Sequence, residues 1–461
     1  MSFKYIYIIS GGTLQHVTPH FSLCAPAYGK VGKDLQLCFM REFQENPQYQ
    51  DSYKVCTFFT KMAERENSHK NIEKDILNNI GLNHLETNQD IELLVDYLVT
   101  KEDTRAIILS AALCDFKPSE LKSSEGDTIR QFGKDQKRLS SKLDFEMKLT
   151  KANKIIDRIR VNRKDIFLVS FKTTSGLSKK ETYAEALGNL KRSSSNLVFA
   201  NDIKNKHNGV ITPEEYPYWS DTREEALQEL VEMTMARISL NFDRTLVLDP
   251  DIRFDIGSYD HDQSPTRIPL NFKEILQYLI DNKAFKAFNE KTSGHFGCRI
   301  LETNFKINHE GKFLKAMRLC SRRKMDHNTI MTKGNGLGVV YGKDSKGTIL
   351  ASGGKPSVGE HTQEAIYNKF GENVHSIIHF HCPIKKDSEV PTANQREFEC
   401  GSKECGDNTV EAMTEIEPGI YASHLKAHGP NIAFHKDVDV SRLIKFIESN
   451  WDLASKTGGV I

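Results

Sequence analysis

No run of apolar residues in the chain approaches the roughly 18–20 that a membrane-spanning helix needs. There is almost no excess of charge of one sign. The 63 basic residues stand against 62 acidic ones, a net charge of +1, so neither nucleic acid nor an anionic membrane surface is expected as a partner. The nine cysteines contain no CxxC pair and complete no cysteine zinc site. Cys400 and Cys405, the closest pair, read as structural, and reduced thiols in a cytoplasmic protein are expected. The apolar run "YIYIIS" (5–10) is too short for a signal-peptide core and is followed by no small-residue cleavage site, so it reads as a first buried strand. What is there instead is 461 residues with 38% hydrophobic and 27% charged content, enough for two to four globular domains.

The pattern divides into halves with no internal repeat between them. Up to residue 246, apolar β-branched runs (4–10, 53–59, 105–113, 165–171, 196–200) alternate with helix-like stretches (86–99, 150–161, 181–192). Such alternation predicts a Rossmann-like, doubly wound, mostly parallel sheet. The aspartate-rich, aperiodic stretch 247–269 reads as a linker. From 270 to 461 a second α/β domain is expected, with a helix at 270–289, strands at 297–303, 338–342, 376–380 and 431–434, and a closing helix at 439–453.

In the first half, polar residues follow buried strands, where open α/β sheets place their ligands. They are Asp115 and Lys117, Lys172 and Thr173, and Asn201 and Asp202. Gly11 and Gly12 after the first strand would allow close backbone approach to a phosphate, and the basic stretch 133–145 could neutralise one. The plain alternatives are a tight turn and a solvated loop.

Together the pieces "SGGT" (10–13), "GKVG" (29–32), "AALCDFKP" (111–118), "RLSS" (138–141), "FK" (171–172) and "AND" (200–202) resemble the phosphopantothenoylcysteine synthetase family over residues 4–240. The resemblance implies ligation of 4′-phosphopantothenate to cysteine through an acyl-nucleotidylate, with CTP or ATP and Mg²⁺. It also implies nucleotide contacts from Gly11, Gly12, Thr13, Ala112, Asp115, Phe171, Lys172, Asn201 and Asp202, and a catalytic flap lysine at Lys137 or Arg138. The chain departs from the family in its substrate loop. Thr18, Phe21 and Ala25 stand where the family has Asp, Arg and Asn, and Ser193 replaces a lysine beside Lys191 and Arg192. Gln15, His16 and His20 are the candidates to take over.

In the second half, "SIIHFHCP" places His379 and His381 on one side of a strand end. "KAHGP" supplies His428, and three imidazoles with an open position suit a catalytic Zn²⁺ or other divalent metal. His361, His375, His424 and His435 are read as bystanders. Glu360 in "KPSVGEH", "TSGHFGCR" (292–299) and the His-Gly of 428–429 follow an order that resembles the class II aldolase/adducin family over 268–455. That resemblance implies a metal on His379, His381 and His428, Glu360 as acid/base, and a carbonyl or phosphorylated substrate. Departures are Gly294-His295 for Gly-Asn, Gly297 for Ser, and one extra residue in "PSVGE"; Arg299 and Lys333 remain as anion-holding candidates.

The expectation is therefore a bifunctional coenzyme A pathway ligase with a metal-dependent aldolase-like lyase, and a homo-oligomer, since both resembled families are oligomeric. The alternatives are a degenerate nucleotide-binding module joined to an active aldolase or epimerase, and a non-catalytic scaffold.

Overall fold

Strand β1 (Lys4–Ser10) explains the layering of the first half. Ile6 and Ile8 pack into one core and Tyr7 and Ile9 into another, so its near-continuous apolar run marks a strand covered on both faces. A hairpin of β2 (Thr13–Thr18) and β3 (Phe21–Ala25) follows. Next come α1 (Lys30–Glu45), β4 (Tyr53–Phe59), α2 (Asn71–Asn79), α3 (Asn88–Thr100) and β5 (Thr104–Leu109). A separate three-stranded sheet holds β6 (Phe116–Ser123), β7 (Thr128–Ile129) and β8 (Phe145–Lys151). The rest is α4 (Ile155–Asn162), β9 (Phe167–Thr174), α5 (Lys179–Ser193), β10 (Leu197–Asp202), β11 (Asn208–Ile211), β12 (Pro217–Ser220) and α6 (Arg223–Arg237).

The computed structural model describes residues 3–64, 71–252, 254–286, 291–323, 325–332 and 336–459. It divides into two units, Met1–Thr212 with Tyr218–Ile238, and Pro213–Pro217 with Ser239–Ile461.

The main sheet of the first unit runs β12-β11-β10-β9-β5-β1-β4, parallel from β10 to β4. Helices α1 and α6 cover one face and α2, α3 and α4 the other. Capping boxes at Thr87, Ser178 and Thr222 start α3, α5 and α6. Two expected spans shift. The strand expected over 105–113 ends at Leu109, and the helix expected from 150 begins at Ile155 because Phe145–Lys151 pairs with β6.

The second unit contains β13 (Thr245–Asp249), β14 (Thr266–Arg267), α7 (Leu270–Asp281), β15 (His295–Arg299), β16 (Glu302–Thr303), β17 (Lys306–His309), β18 (Lys312–Lys315) and β19 (Arg318–Cys320). It continues through β20 (Gly338–Lys343), β21 (Ile349–Ser352), α8 (Glu360–Phe370), β22 (Ser376–His379), β23 (Thr392–Ala393), α9 (Lys403–Ala412), β24 (Thr414–Glu417), β25 (Ile420–Leu425), β26 (Gly429–Phe434) and α10 (Val440–Asn450). Its sheet, ordered β13-β21-β20-β19-β15-β22-β26-β25-β23, is antiparallel through its centre. Cross-strand residues Ile378, Ile432 and Ala422 face α7 and α10, and Ile377, Ala433 and Tyr421 face α8.

The stretch 247–269 is not a free linker. β13 pairs in parallel with β21 and β14 pairs with β16, so the unit boundary falls at Ser239. The helix expected over 270–289 ends at Asp281, where Asn282 caps it and Lys283 turns left-handed at φ 57°; residues 287–289 lie outside the described residues.

Candidate functional sites

In the first unit the parallel order aligns the C-terminal ends of β1, β5, β9 and β10, so Gly11, Ala112, Lys172 and Asn201 fall along one edge. The glycine turn is used for packing. Gly12 N–H donates to Ala27 O at 2.7 Å, Thr13 N–H to Ala112 O at 3.0 Å, and Ala112 N–H to Gly11 O at 2.8 Å. A Cβ on Gly12 would lie 2.2 Å from Ala25 O, so the approach made possible by the missing side chain is taken by the chain itself. Thr13 Oγ1 is bonded to Asn88 and also accepts from Cys114 N–H.

The remaining expected residues are mostly paired locally. Asp115 bonds Lys154 at 2.6 Å, Lys172 bonds Glu185 at 2.8 Å, and Asn201 Oδ1 accepts from Thr173 Oγ1 at 2.9 Å. Phe171 packs on Phe199 with ring centroids 5.1 Å apart and planes tilted by 34°. Asp202 anchors a turn. Burial opposes its charge, but backbone N–H groups of Asn205, Leu177 and Gly176 and the Thr174 hydroxyl hold its carboxyl below the usual carboxylate range. Lys137 and Arg138 are exposed between β7 and β8.

The substrate-loop stretch forms the β2–β3 hairpin. Thr18 is buried and Phe21 is exposed. His16 is held by Ser22 at 2.8 Å and lies 3.6 Å from Glu86, and His20 sits exposed at the hairpin tip. The three candidate replacements therefore do not gather at the glycine turn; Gln15 and His16 instead line a polar cavity of about 410 Å³ with Asn88, Lys117 and Asn153.

In the second unit His379, His381 and His428 do converge. Their ligand nitrogens lie within 4.8 Å of one another, and all three residues are buried. Two glycines permit the approach of flanking backbone. A Cβ on Gly294 would sit 2.1 Å from His379 O, and one on Gly429 2.0 Å from Phe380 O. His379 Nδ1 donates to Pro430 O at 2.6 Å, because a carbonyl can only accept. That fixes the lone pair of neutral His379 on Nε2, which faces His428 Nε2 at 3.1 Å. His381 Nδ1 lies 2.6 Å from Ser293 Oγ. Burial lowers the pKa of His379 to about 4, against the opposing Pro430 bond, and burial followed by the neighbouring histidines pushes His428 well below its ordinary value. A divalent metal requires converging imidazole lone pairs with supported rear nitrogens; Pro430 O backs His379 and Ser293 Oγ lies behind His381, while His428 Nδ1 is buried without a partner, so the donor set fits a metal with two of its three ligands braced from behind.

Glu360 opens α8, and one carboxylate oxygen is bonded to Arg318 while Oε2 is buried without a partner. Burial raises its pKa although Arg318 pulls the other way. The preceding Gly359 packs directly on the His295 ring, which lies 4.8 Å from the His379 ring and is held by Gln363 at 3.0 Å. Sequence reasoning missed Arg318, Gln363 and Ser293; none stands at a telling spacing from the residues it serves.

The other expected residues of this unit have different partners. Arg299 donates to the carbonyls of Val374, Tyr367 and Gly371, so it closes the end of α8 and is not a free anion site. Lys333 lies outside the described residues. His361 joins Asp243 and Glu364, but the Lys343 ammonium bonds both carboxylates and makes this an ion-pair cluster. His424 accepts from Trp451 Nε1 at 3.3 Å, and His375 packs on His435.

The first unit thus has the form of a doubly wound α/β domain, and the second that of a layered α/β/α domain with a buried histidine cluster. Residues 69–239 match the family model of the DNA/pantothenate metabolism flavoprotein C-terminal domain. Among curated proteins, the coenzyme A biosynthesis bifunctional protein CoaBC of Methanocaldococcus jannaschii is 25% identical over 244 residues, 49% of this chain and 49% of the relative. The protein of the same name from Thermococcus kodakarensis is 31% identical over 98 residues, 21% of each chain. The chain therefore spans about half the length of the first relative and about a fifth of the second. A solved DNA/pantothenate metabolism flavoprotein from Streptococcus pneumoniae is 20% identical and aligns with 51% of this chain and 99% of its own, at a TM-score of 0.39. No helix among the described residues is long and apolar enough to cross a membrane.

Proposed function

We propose that the chain is a bifunctional enzyme of coenzyme A synthesis, with a divalent-metal-dependent lyase of class II aldolase type in its second unit and a phosphopantothenate–cysteine ligase in its first. The observation that carries the lyase reading is the buried trio, with His379 Nε2 and His428 Nε2 facing at 3.1 Å and the rear nitrogen of His379 committed to Pro430 O. A metal held by His379, His381 and His428 would supply Lewis-acid polarisation of a substrate carbonyl. Burial excludes bulk water from these imidazoles and keeps His379 and His428 neutral. Glu360, with its raised pKa and an unpartnered oxygen, is suited to hold and return a proton, while Arg318 fixes its orientation.

The ligase reading is supported by the family match over 69–239 and by the name of the relatives. A second reading, a nucleotide-binding module without ligation, is favoured by one observation: the side chains of Phe21 and Ala25 have no polar group to offer. Pyrophosphate release from CTP and from ATP, with 4′-phosphopantothenate and with or without cysteine, decides between them. Release with either nucleotide supports ligation; none with either leaves the module reading. For the lyase, the tests are about one metal per chain and retro-aldol turnover that Glu360→Gln abolishes without metal loss. Metal-free purification from metal-replete medium, with no uptake, would end that reading.

A further inference from the structure

Two of the three converging histidines stand outside regular structure. His381 lies beyond β22, which ends at His379, and His428 lies in the β25–β26 turn next to Ala427, whose φ is 61°. A strand ladder holds His379, but no ladder holds the other two. The segment after α10 does. Trp451 is buried, and Asp452 N–H donates to Pro383 O at 3.1 Å. Thr457 then reaches both histidine segments, its N–H donating to His381 O at 3.2 Å and its hydroxyl to His428 O at 3.0 Å. Beside it, Lys456 Nζ donates to Lys283 O at 2.7 Å and Ala284 O at 2.8 Å. The next residue, Phe285, accepts from the N–H of Ser293, the partner of His381 Nδ1.

We infer that Thr457 is a positioning residue for the histidine centre, its N–H and hydroxyl clamping the His381 and His428 backbones at the spacing their imidazoles need to share one divalent metal. The inference rests on reading the three histidines as a metal site and adds the element that sets its geometry. Ligand distances in such sites tolerate only about 0.2 Å, so a clamp on two ligand backbones acts directly on affinity. Removal of partners behind metal ligands costs about 10–100-fold in affinity.

The test uses the full chain, stripped of metal and titrated with Zn²⁺ and with Co²⁺. Thr457→Val keeps the shape and the N–H but loses the hydroxyl; Thr457→Ser keeps the hydroxyl. Thr457→Val is expected to bind one metal about 10–100-fold more weakly, with an altered Co²⁺ ligand-field spectrum, while the metal-free protein, one hydrogen bond poorer, still unfolds in a single transition with only a small drop in its thermal midpoint. Thr457→Ser is expected to restore wild-type affinity. Wild-type affinity and spectrum in Thr457→Val overturn the inference, as does a Thr457→Ser variant as weak as Thr457→Val. If unmodified protein takes up no metal that His379→Ala abolishes, the histidine reading itself fails and the clamp has nothing to position; metal uptake lost in His379→Ala but unchanged in Thr457→Val removes the clamp alone.

Discussion

Gly359→Ala offers a test whose sign is set by tertiary packing. The backbone at Gly359, φ −74° and ψ 4°, accepts alanine without strain. Locally the change nearly cancels: reduced unfolded-chain entropy favours alanine by about 0.4–1 kcal/mol, and alanine is a poorer helix N-cap than glycine by a comparable amount. The added Cβ, however, would sit 1.9 Å from His295 Cδ2, 2.3 Å from Nε2 and 2.6 Å from Cγ. His295 is 3% exposed, tied to Gln363, and backed by His379 at 4.8 Å. Relief therefore requires the ring to shift by about 1.5 Å inside a close-packed interior. Overpacking of this kind costs about 1–3 kcal/mol. The chain has two tryptophans, and Trp451 belongs to the second unit, so urea unfolding in a Trp219→Phe background reads that unit by fluorescence. Gly359→Ala should destabilise it by about 1–3 kcal/mol in otherwise unmodified protein and by nothing measurable in His295→Ala, a coupling of that same size. A neutral or stabilising Gly359→Ala, or equal costs in both backgrounds, would refute the packing argument.

Arg318→Met leaves Glu360 buried without its cation and should destabilise the second unit by about 3–5 kcal/mol at pH 7. Its carboxyl, raised further above the unfolded value, then costs stability as pH rises through it, so the loss should shrink toward pH 5; a pH-independent loss in urea titrations would count against an uncompensated charge. Because burial lowers the pKa of His379 to about 4 and pushes that of His428 well below its ordinary value, the ring resonances of these two histidines in metal-free protein should stay unchanged by NMR from pH 8 to about 5. A midpoint near pH 6.5 for either ring would mean that it titrates as an exposed group. Gly12→Ala, whose Cβ would meet Ala25 O at 2.2 Å and Ala27 N at 2.6 Å, should destabilise the first unit by at least about 2 kcal/mol, as followed by Trp219 fluorescence in a Trp451→Phe background.

The sequence by itself determined the elements whose signal is local. Apolar runs located β1, β4, β9 and β10, because a strand covered on both faces must be apolar throughout. The i, i+2 spacing of His379 and His381 and the glycine after His428 marked the histidine centre, because a strand end and a tight turn carry their geometry in neighbouring residues. Tertiary structure decided everything that depends on pairing between distant segments. The stretch 247–269 looked like a linker because its few apolar residues carry no period, yet β13 gains stability only by lying beside β21, a hundred residues on. Gly11 and Gly12 matched a phosphate turn, but which carbonyl meets Gly12 N–H is settled by Ala27 after the hairpin folds back. Arg318 meets Glu360 across 42 residues, and Thr457 meets His428 across 29. Such contacts leave no periodicity, since a hydrogen bond constrains two atoms in space and nothing in the chain between them.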